Sequence, residues 1–279
     1  MKILITAQKG GVGKSTLAAS LAASFAAQAP EQGACLLDLD PQATASQWVQ
    51  QQPRSGLHAL HSMAMAQRDG NVAVLQIKQA LRAAEREAPL VVADLTWGRF
   101  LPHALLLEFD AVVVPVSPAT LELQSTQAFL QDCATVFNSM EAAAPQLVVV
   151  PYRVHTQQAA EVLAQQLALP MQYQLTPPVA FDLSLLELGV QPVYLHELAQ
   201  SPAGLGLQRV AGQLLQLLAQ RQAQRAHGGF AAVKTLRDSR SRLNSHLTLL
   251  DQFMLNKQAH QTRSAHLAHE RMLATVNMA

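Results

Sequence analysis

The chain has 279 residues and a mass of 30.1 kDa, near the upper length for one compact core, so one α/β domain of about 220 residues with something appended is expected. Its 49% hydrophobic and 14% charged residues exclude a disordered, solvating protein. With 20 Lys and Arg against 19 Asp and Glu, it is not a protein coated everywhere with positive charge.

In chain order, Lys2 to Ala7 (KILITA) predicts a first strand and Lys14 to Ala29 a helix. Ala34 to Leu39 predicts the next strand, Val72 to Arg86 a helix, and Leu90 to Leu95 and Ala111 to Val116 two more strands. A helix is expected over Leu121 to Phe137, a strand over Gln146 to Pro151, a helix over Gln157 to Leu167, a short strand over Met171 to Thr176, and a closing helix over Leu205 to Arg225. Most of these strands are almost continuously apolar, as strands buried on both faces must be. The alternation with helices predicts a doubly wound, mostly parallel sheet whose ligand site lies at the carboxyl ends of the strands.

Cys35 and Cys133 stand far apart with no C-x-x-C and no adjacent His pair, so no zinc site or disulfide framework is signalled, and a reducing cytoplasm is expected. No run of eighteen apolar residues suggests a membrane span. Lys2, Lys9 and Lys14 ahead of the Ala/Ser-rich stretch Thr16 to Ala29 imitate a secretion signal, but that stretch is weakly apolar and the residues before it have another explanation.

That explanation is Lys9-Gly10-Gly11-Val12-Gly13-Lys14-Ser15-Thr16, set between a predicted strand and a predicted helix. Glycines let backbone N–H groups turn inward around an anion, and the helix start adds partial positive charge. Lys14 reaches the β and γ phosphates, and the Ser15 hydroxyl is offered to Mg²⁺. The ordinary pattern G-x-x-x-x-G-K-[ST] would place glycine at position 8, where this chain has Gln8, and it adds Lys9 instead.

K-G-G-x-G-K-[ST] is the deviant form of the phosphate loop, and on it the chain resembles the ParA/MinD family of dimeric ATPases. The resemblance implies ATP and Mg²⁺ as cofactors, nucleotide contacts from Lys9 through Thr16, and a homodimer in which Lys9 reaches the phosphates of the opposite protomer. Asp38-Leu39-Asp40-Pro41-Gln42, with Ser46 and Trp48 beyond it, is similar to the D-x-D-P-Q-x-x-x-S-x-W stretch of the partition branch. By that resemblance Asp40 positions the attacking water and Asp38 supports Mg²⁺ or its waters. Asp94 matches the family's Mg²⁺-holding aspartate at the end of the third apolar run, although D-T-P-P or D-T-P-x-G is replaced here by Asp94-Leu95-Thr96-Trp97-Gly98. Val114-Pro115-Val116, Leu121-Glu122-Leu123 and Gly189-Val190-Gln191-Pro192-Val193 extend the likeness over about residues 1 to 220. Pro151-Tyr152-Arg153 stands where an adenine contact is common, so the base is expected near Pro151 and Arg153. The cysteines do not match the cluster ligands of the nitrogenase iron protein, which argues against an iron-sulfur reductase.

From Gly228-Gly229 the character changes, so an ATPase domain is expected over 1–227 and a basic helical tail over 228–279. Residues 1–220 carry 11 Lys and Arg against 16 Asp and Glu, while 221–279 carry 9 against 3. Val233, Leu236, Arg240, Leu243, Leu247, Leu250 and Met254 follow a heptad spacing that predicts one amphipathic helix, docked on its own domain, its twin or a partner. The DNA-contact candidates are Arg209, Arg221, Arg225, Lys234, Arg237, Arg240 and Arg242. The resulting expectation is a cytoplasmic, nucleoid-associated ParA-type positioning ATPase. Its ATP-bound dimer binds DNA without sequence preference, and a ParB-like or cargo adaptor stimulates hydrolysis, the cargo itself being open. A MinD-like membrane-surface ATPase is the alternative, weakened by the thin apolar face of Glu270 to Ala279. A dethiobiotin-synthase-like ligase of the same fold is argued against by Lys9 and the D-L-D-P-Q stretch.

Overall fold

The computed structural model describes residues 1–66, 69–139, 144–182 and 193–223. The chain divides into two compact units, Met1–Gln220 and Arg221–Ala279. The predicted boundary at Gly228-Gly229 and the heptad segment lie outside the described residues.

The sheet contains β1 (Lys2–Ala7), β2 (Ala34–Asp38), β3 (Leu57–His61), β4 (Val91–Thr96), β5 (Ala111–Val116), β6 (Gln146–Val154) and β7 (Gln174–Leu175) in the order β3-β2-β4-β1-β5-β6-β7. All neighbours are parallel, and the two-residue β8 (Val179–Ala180) pairs with the far end of β6. The chain leaves β1 to build one side of the sheet and then crosses it between β4 and β5 to build the other. The direction of winding therefore reverses at β1, and the crevice at its carboxyl end is where ligands of such sheets bind.

Strand parity sorts the core into two layers. Ile3, Ile5, Leu36, Val92, Val113 and Val148 face one side, with α1 (Lys14–Gln28), α2 (Thr44–Gln51) and the closing helix α7 (202–223). Leu4, Leu37, Val91, Ala93, Val112 and Val149 face the other, with α3 (Gly70–Glu87), α4 (Thr120–Asp132) and α6 (Gln157–Gln166). The short α5 (Ala134–Phe137) follows α4 after a break at Cys133. The Ala/Ser-rich stretch that imitates a secretion signal is α1: its leucines and all of its alanines but Ala27 are buried around the helix, as a helix enclosed on several sides requires. Asp69 caps α3 by accepting from the N–H groups of Asn71 and Val72, and buried Ala73, Ile77, Leu81 and Ala84 give α3 a single apolar stripe. Burial pushes the Cys35 and Cys133 thiols up to about 12, so both behave as small apolar side chains.

Sequence reading finds no strand at β3 and no helix at α2. Leu57-His58-Ala59-Leu60-His61 forms the half-exposed edge of the sheet and lacks the apolar run of a central strand. The eight-residue α2 is rich in Gln and is placed by its contacts with the loop after β2, described next.

Candidate functional site

Between β1 and α1 the loop over residues 8–13 turns with Gly11 and Gly13 in the left-handed region, at φ 80° and 89°. Gly13 is doubly constrained: a Cβ there would fall 2.3 Å from Cε1 of Tyr152, the buried aromatic of β6. No side chain caps the start of α1 at Gly13, so its first N–H groups are left for an anion, as the Gly-Lys-Ser pattern requires. Lys14 is buried, Ser15 and Thr16 are half-buried, Val12 is buried, and Lys9 and Gly10 are exposed.

Parallel pairing sets Asp38 at the end of β2 directly beside Asp94 in β4. Their surroundings differ. Asp38 is fully buried and committed to the backbone: one oxygen accepts the Asp40 N–H (3.0 Å), the other the Ser46 N–H in the first turn of α2 (2.8 Å). It shapes the turn and seats α2. Asp94 is equally buried, yet among the described residues neither of its oxygens has a hydrogen-bond partner. An unpartnered buried carboxylate is costly, and burial lifts its pKa from 3.8 to about 7, with Asp38 and Asp40 adding to the rise. The nearby Ser15 hydroxyl, which does not reach hydrogen-bonding geometry, and Lys14 oppose it.

Asp94 with Ser15 therefore fits Mg²⁺, whose charge would satisfy the orphaned oxygens. No three His, Cys, Asp or Glu side chains converge on a cation among the described residues. That arrangement suits an ion that takes most of its ligands from phosphate and water. Asp38, expected to support the metal, receives one N–H from the turn after β2 and one from the first turn of α2, each of its oxygens keeping a second acceptor site.

The same imbalance gives a pH test. The folded-state pKa of Asp94 lies above its unfolded value, so its ionisation costs stability. The cost is absent below about pH 4, grows as pH rises toward 7 and levels off above it. Without nucleotide or Mg²⁺, Asp94→Asn should unfold later than the parent at pH 8, by up to about 4 kcal/mol, with the gap closing as pH falls to 4. A gap that stayed constant in thermal melts across that range would show that the carboxylate is not held at a raised pKa.

Asp40, half-buried, accepts the Gln42 N–H on Oδ1 (3.0 Å) and the Thr96 hydroxyl on Oδ2 (2.8 Å), and His61 Nε2 donates to its carbonyl (3.1 Å). On the other side of the loop, Arg153 has a positive φ of 59°, donates from Nη1 to the Gly11 carbonyl (3.1 Å) and sets its guanidinium 5.6 Å from the Phe181 ring centroid. Pro151 is buried in β6. The structure thus brings Lys14, Ser15, Asp38, Asp40, Asp94 and Arg153 around one loop.

Residues 3–224 match the model of the CobQ/CobB/MinD/ParA nucleotide binding domain. The chain belongs to that family. Among solved structures, an ATP complex of McdA from Cyanothece is 15% identical, covers 78% of this chain and 96% of its own, and superposes with a TM-score of 0.60. MinD from Aquifex aeolicus is 14% identical over 77% and 96%, with a TM-score of 0.56. Cobyrinic acid a,c-diamide synthase from Mycobacterium smegmatis, with bound ADP and magnesium, is 19% identical over 77% and 94%, with a TM-score of 0.55. At these identities the likeness is one of fold. No curated protein matches in sequence.

Within this MinD/ParA fold, Thr96 and Tyr152 are neighbours of the site to which sequence reading assigns no role. Thr96 was legible as a threonine displaced by one position from D-T-P, whereas the packing of Tyr152 on Gly13 had no local signal. Of the DNA candidates, Arg209 is exposed on α7 and Arg221 is buried. Arg225, Lys234, Arg237, Arg240 and Arg242, and most of Gly189 to Val193, lie outside the described residues. No helix among the described residues is long and apolar enough to cross a membrane.

Proposed function

We propose that this family member is a ParA-type positioning ATPase. It binds ATP with Mg²⁺, closes into a homodimer, holds DNA without sequence preference and is released when an adaptor stimulates hydrolysis. The observation that carries the ATPase reading is the unpartnered Asp94 carboxylate beside Lys14 and Ser15, with Asp40 fixed on the adjoining strand end. Lys9, exposed at the start of the loop, supports the dimer, because an exposed cation at the mouth of one site is placed to serve a facing one. The DNA part rests on the basic C-terminal segment and on the resemblance to partition proteins.

In this reading the loop N–H groups and Lys14 bind the β and γ phosphates. Ser15, and Asp94 through water, would hold Mg²⁺, which supplies charge neutralisation of the phosphate oxygens. Asp40 accepts a hydrogen bond from a water and aligns it with the γ-phosphorus. As the water oxygen bonds to phosphorus, the bond to the β–γ bridging oxygen breaks, giving ADP and phosphate. Lys9 of each protomer adds positive charge at the opposite γ-phosphate.

Sedimentation of the full chain with Mg²⁺ and ATP tests the proposal. The parent should dimerise and then bind two unrelated duplexes of equal length equally, with affinity falling steeply as salt rises. Lys9→Ala should bind ATP and remain monomeric. A Lys9→Ala protein as dimeric as the parent overturns the trans-acting lysine. An ATP-bound dimer that ignores DNA and sediments with anionic vesicles would favour the MinD-like alternative.

A further inference from the structure

Asp40 sits on the turn after β2, where an aspartate would ordinarily rotate among staggered positions. Here each carboxylate oxygen has a donor, and only one of the two is local. Gln42 N–H, two residues on, closes a small turn on Oδ1, whereas Oδ2 receives the Thr96 hydroxyl from the end of β4, 56 positions away in sequence.

Thr96 can reach Asp40 because of strand parity. It is two residues beyond Asp94, so their side chains leave β4 on the same face, and it pairs with Ala7, where β1 gives way to the phosphate loop. A threonine immediately after the aspartate, as in D-T-P, would leave by the opposite face. In this chain that position is Leu95, which is fully buried, and its carbonyl accepts the buried Thr6 hydroxyl (2.7 Å). On the other side of Thr96, Trp97 is buried with its ring 5.7 Å from Phe129 and 6.4 Å from His103 between centroids. With both neighbours packed in the core, the backbone that carries the Thr96 hydroxyl is anchored on either side. A carboxylate oxygen has two acceptor sites, so the bond to Thr96 leaves Oδ2 able to take a water as well.

We infer that Thr96 is the positioning residue of hydrolysis in this chain: its hydroxyl holds the Asp40 carboxylate in the orientation that receives the attacking water. This inference rests on the role proposed above for Asp40. No proton leaves Thr96. It acts by restricting rotation of Asp40, and its removal should change kcat without changing ATP binding.

The test compares Thr96→Val, which keeps the shape and loses the donor, with Thr96→Ser, which keeps the donor, and measures both again in an Asp40→Ala background. Full-length proteins are assayed for single-turnover phosphate release, ATP affinity and melting temperature. Losing a hydrogen bond to a charged group predicts kcat down about 10- to 100-fold in Thr96→Val, with ATP affinity unchanged and activity restored in Thr96→Ser. With Asp40→Ala, Thr96→Val should cause no further loss. Parent-like turnover in Thr96→Val beside a slow Asp40→Ala overturns the inference and leaves the Asp40 role standing. So does an equal loss in Thr96→Ser, or a further loss in the double variant, since either shows an effect that does not pass through Asp40. Parent-like turnover in Asp40→Ala overturns the Asp40 role itself.

Discussion

Lys14→Ala abolishes ATP binding, with Kd rising by about 100-fold or more. Lys14 is buried at the first turn of α1, 6% exposed, and its charge opposes the rise in the Asp94 pKa. Its removal strips the phosphate cradle of its enclosed cation and leaves three carboxylates, Asp38, Asp40 and Asp94, without that compensation. An anionic ligand then meets net negative charge in a low-dielectric crevice. Lys9→Ala differs because Lys9 is exposed: one protomer alone should bind ATP nearly as well without it. Calorimetric titration with ATP separates the two. Lys14→Ala binding within a fewfold of the parent would mean that the nucleotide does not sit in this loop.

Asp40→Ala slows hydrolysis by about 10²- to 10⁴-fold while ATP stays bound. Asp40 belongs to the turn after β2 and not to the phosphate loop, so on the proposed mechanism binding and hydrolysis fall to separate elements of the sheet end. The substitution also removes the acceptor for Gln42 N–H and Thr96 Oγ1, a local cost of about 1 to 3 kcal/mol that need not disturb the buried layers. Bound nucleotide recovered from the variant after incubation should be ATP, where the parent yields ADP. Recovery of ADP at the parent's rate would move the water-orienting role to another group.

How much of this was legible in sequence follows the distance between interacting residues. The phosphate loop was readable because glycines, lysine and hydroxyl are contiguous and flanked by a strand and a helix. The positions of most buried strands along the chain were implied by their apolar runs, though β4 and β6 extend further than the runs suggest, to Thr96 and Val154. What stayed hidden depends on pairings that no local pattern encodes. Asp38 and Asp94 look alike in sequence, each an aspartate closing an apolar strand. The turn after β2 and the first turn of α2 make one a backbone acceptor, and the other is left bare. Likewise the departure at Leu95-Thr96-Trp97 reads as a damaged motif until the register shows its hydroxyl reaching Asp40. The tie that Arg153 makes between β6 and the phosphate loop, through Gly11, had no local signal either.

The central claim, that one crevice at the end of β1, β2 and β4 binds Mg²⁺ and ATP and hydrolyses the nucleotide, is tested most directly by following γ-phosphate release from ATP by the purified full chain with and without Mg²⁺. Slow release that requires Mg²⁺ and yields ADP is expected. Release at the same rate after chelation, or no ATP uptake with Mg²⁺ present, would contradict it.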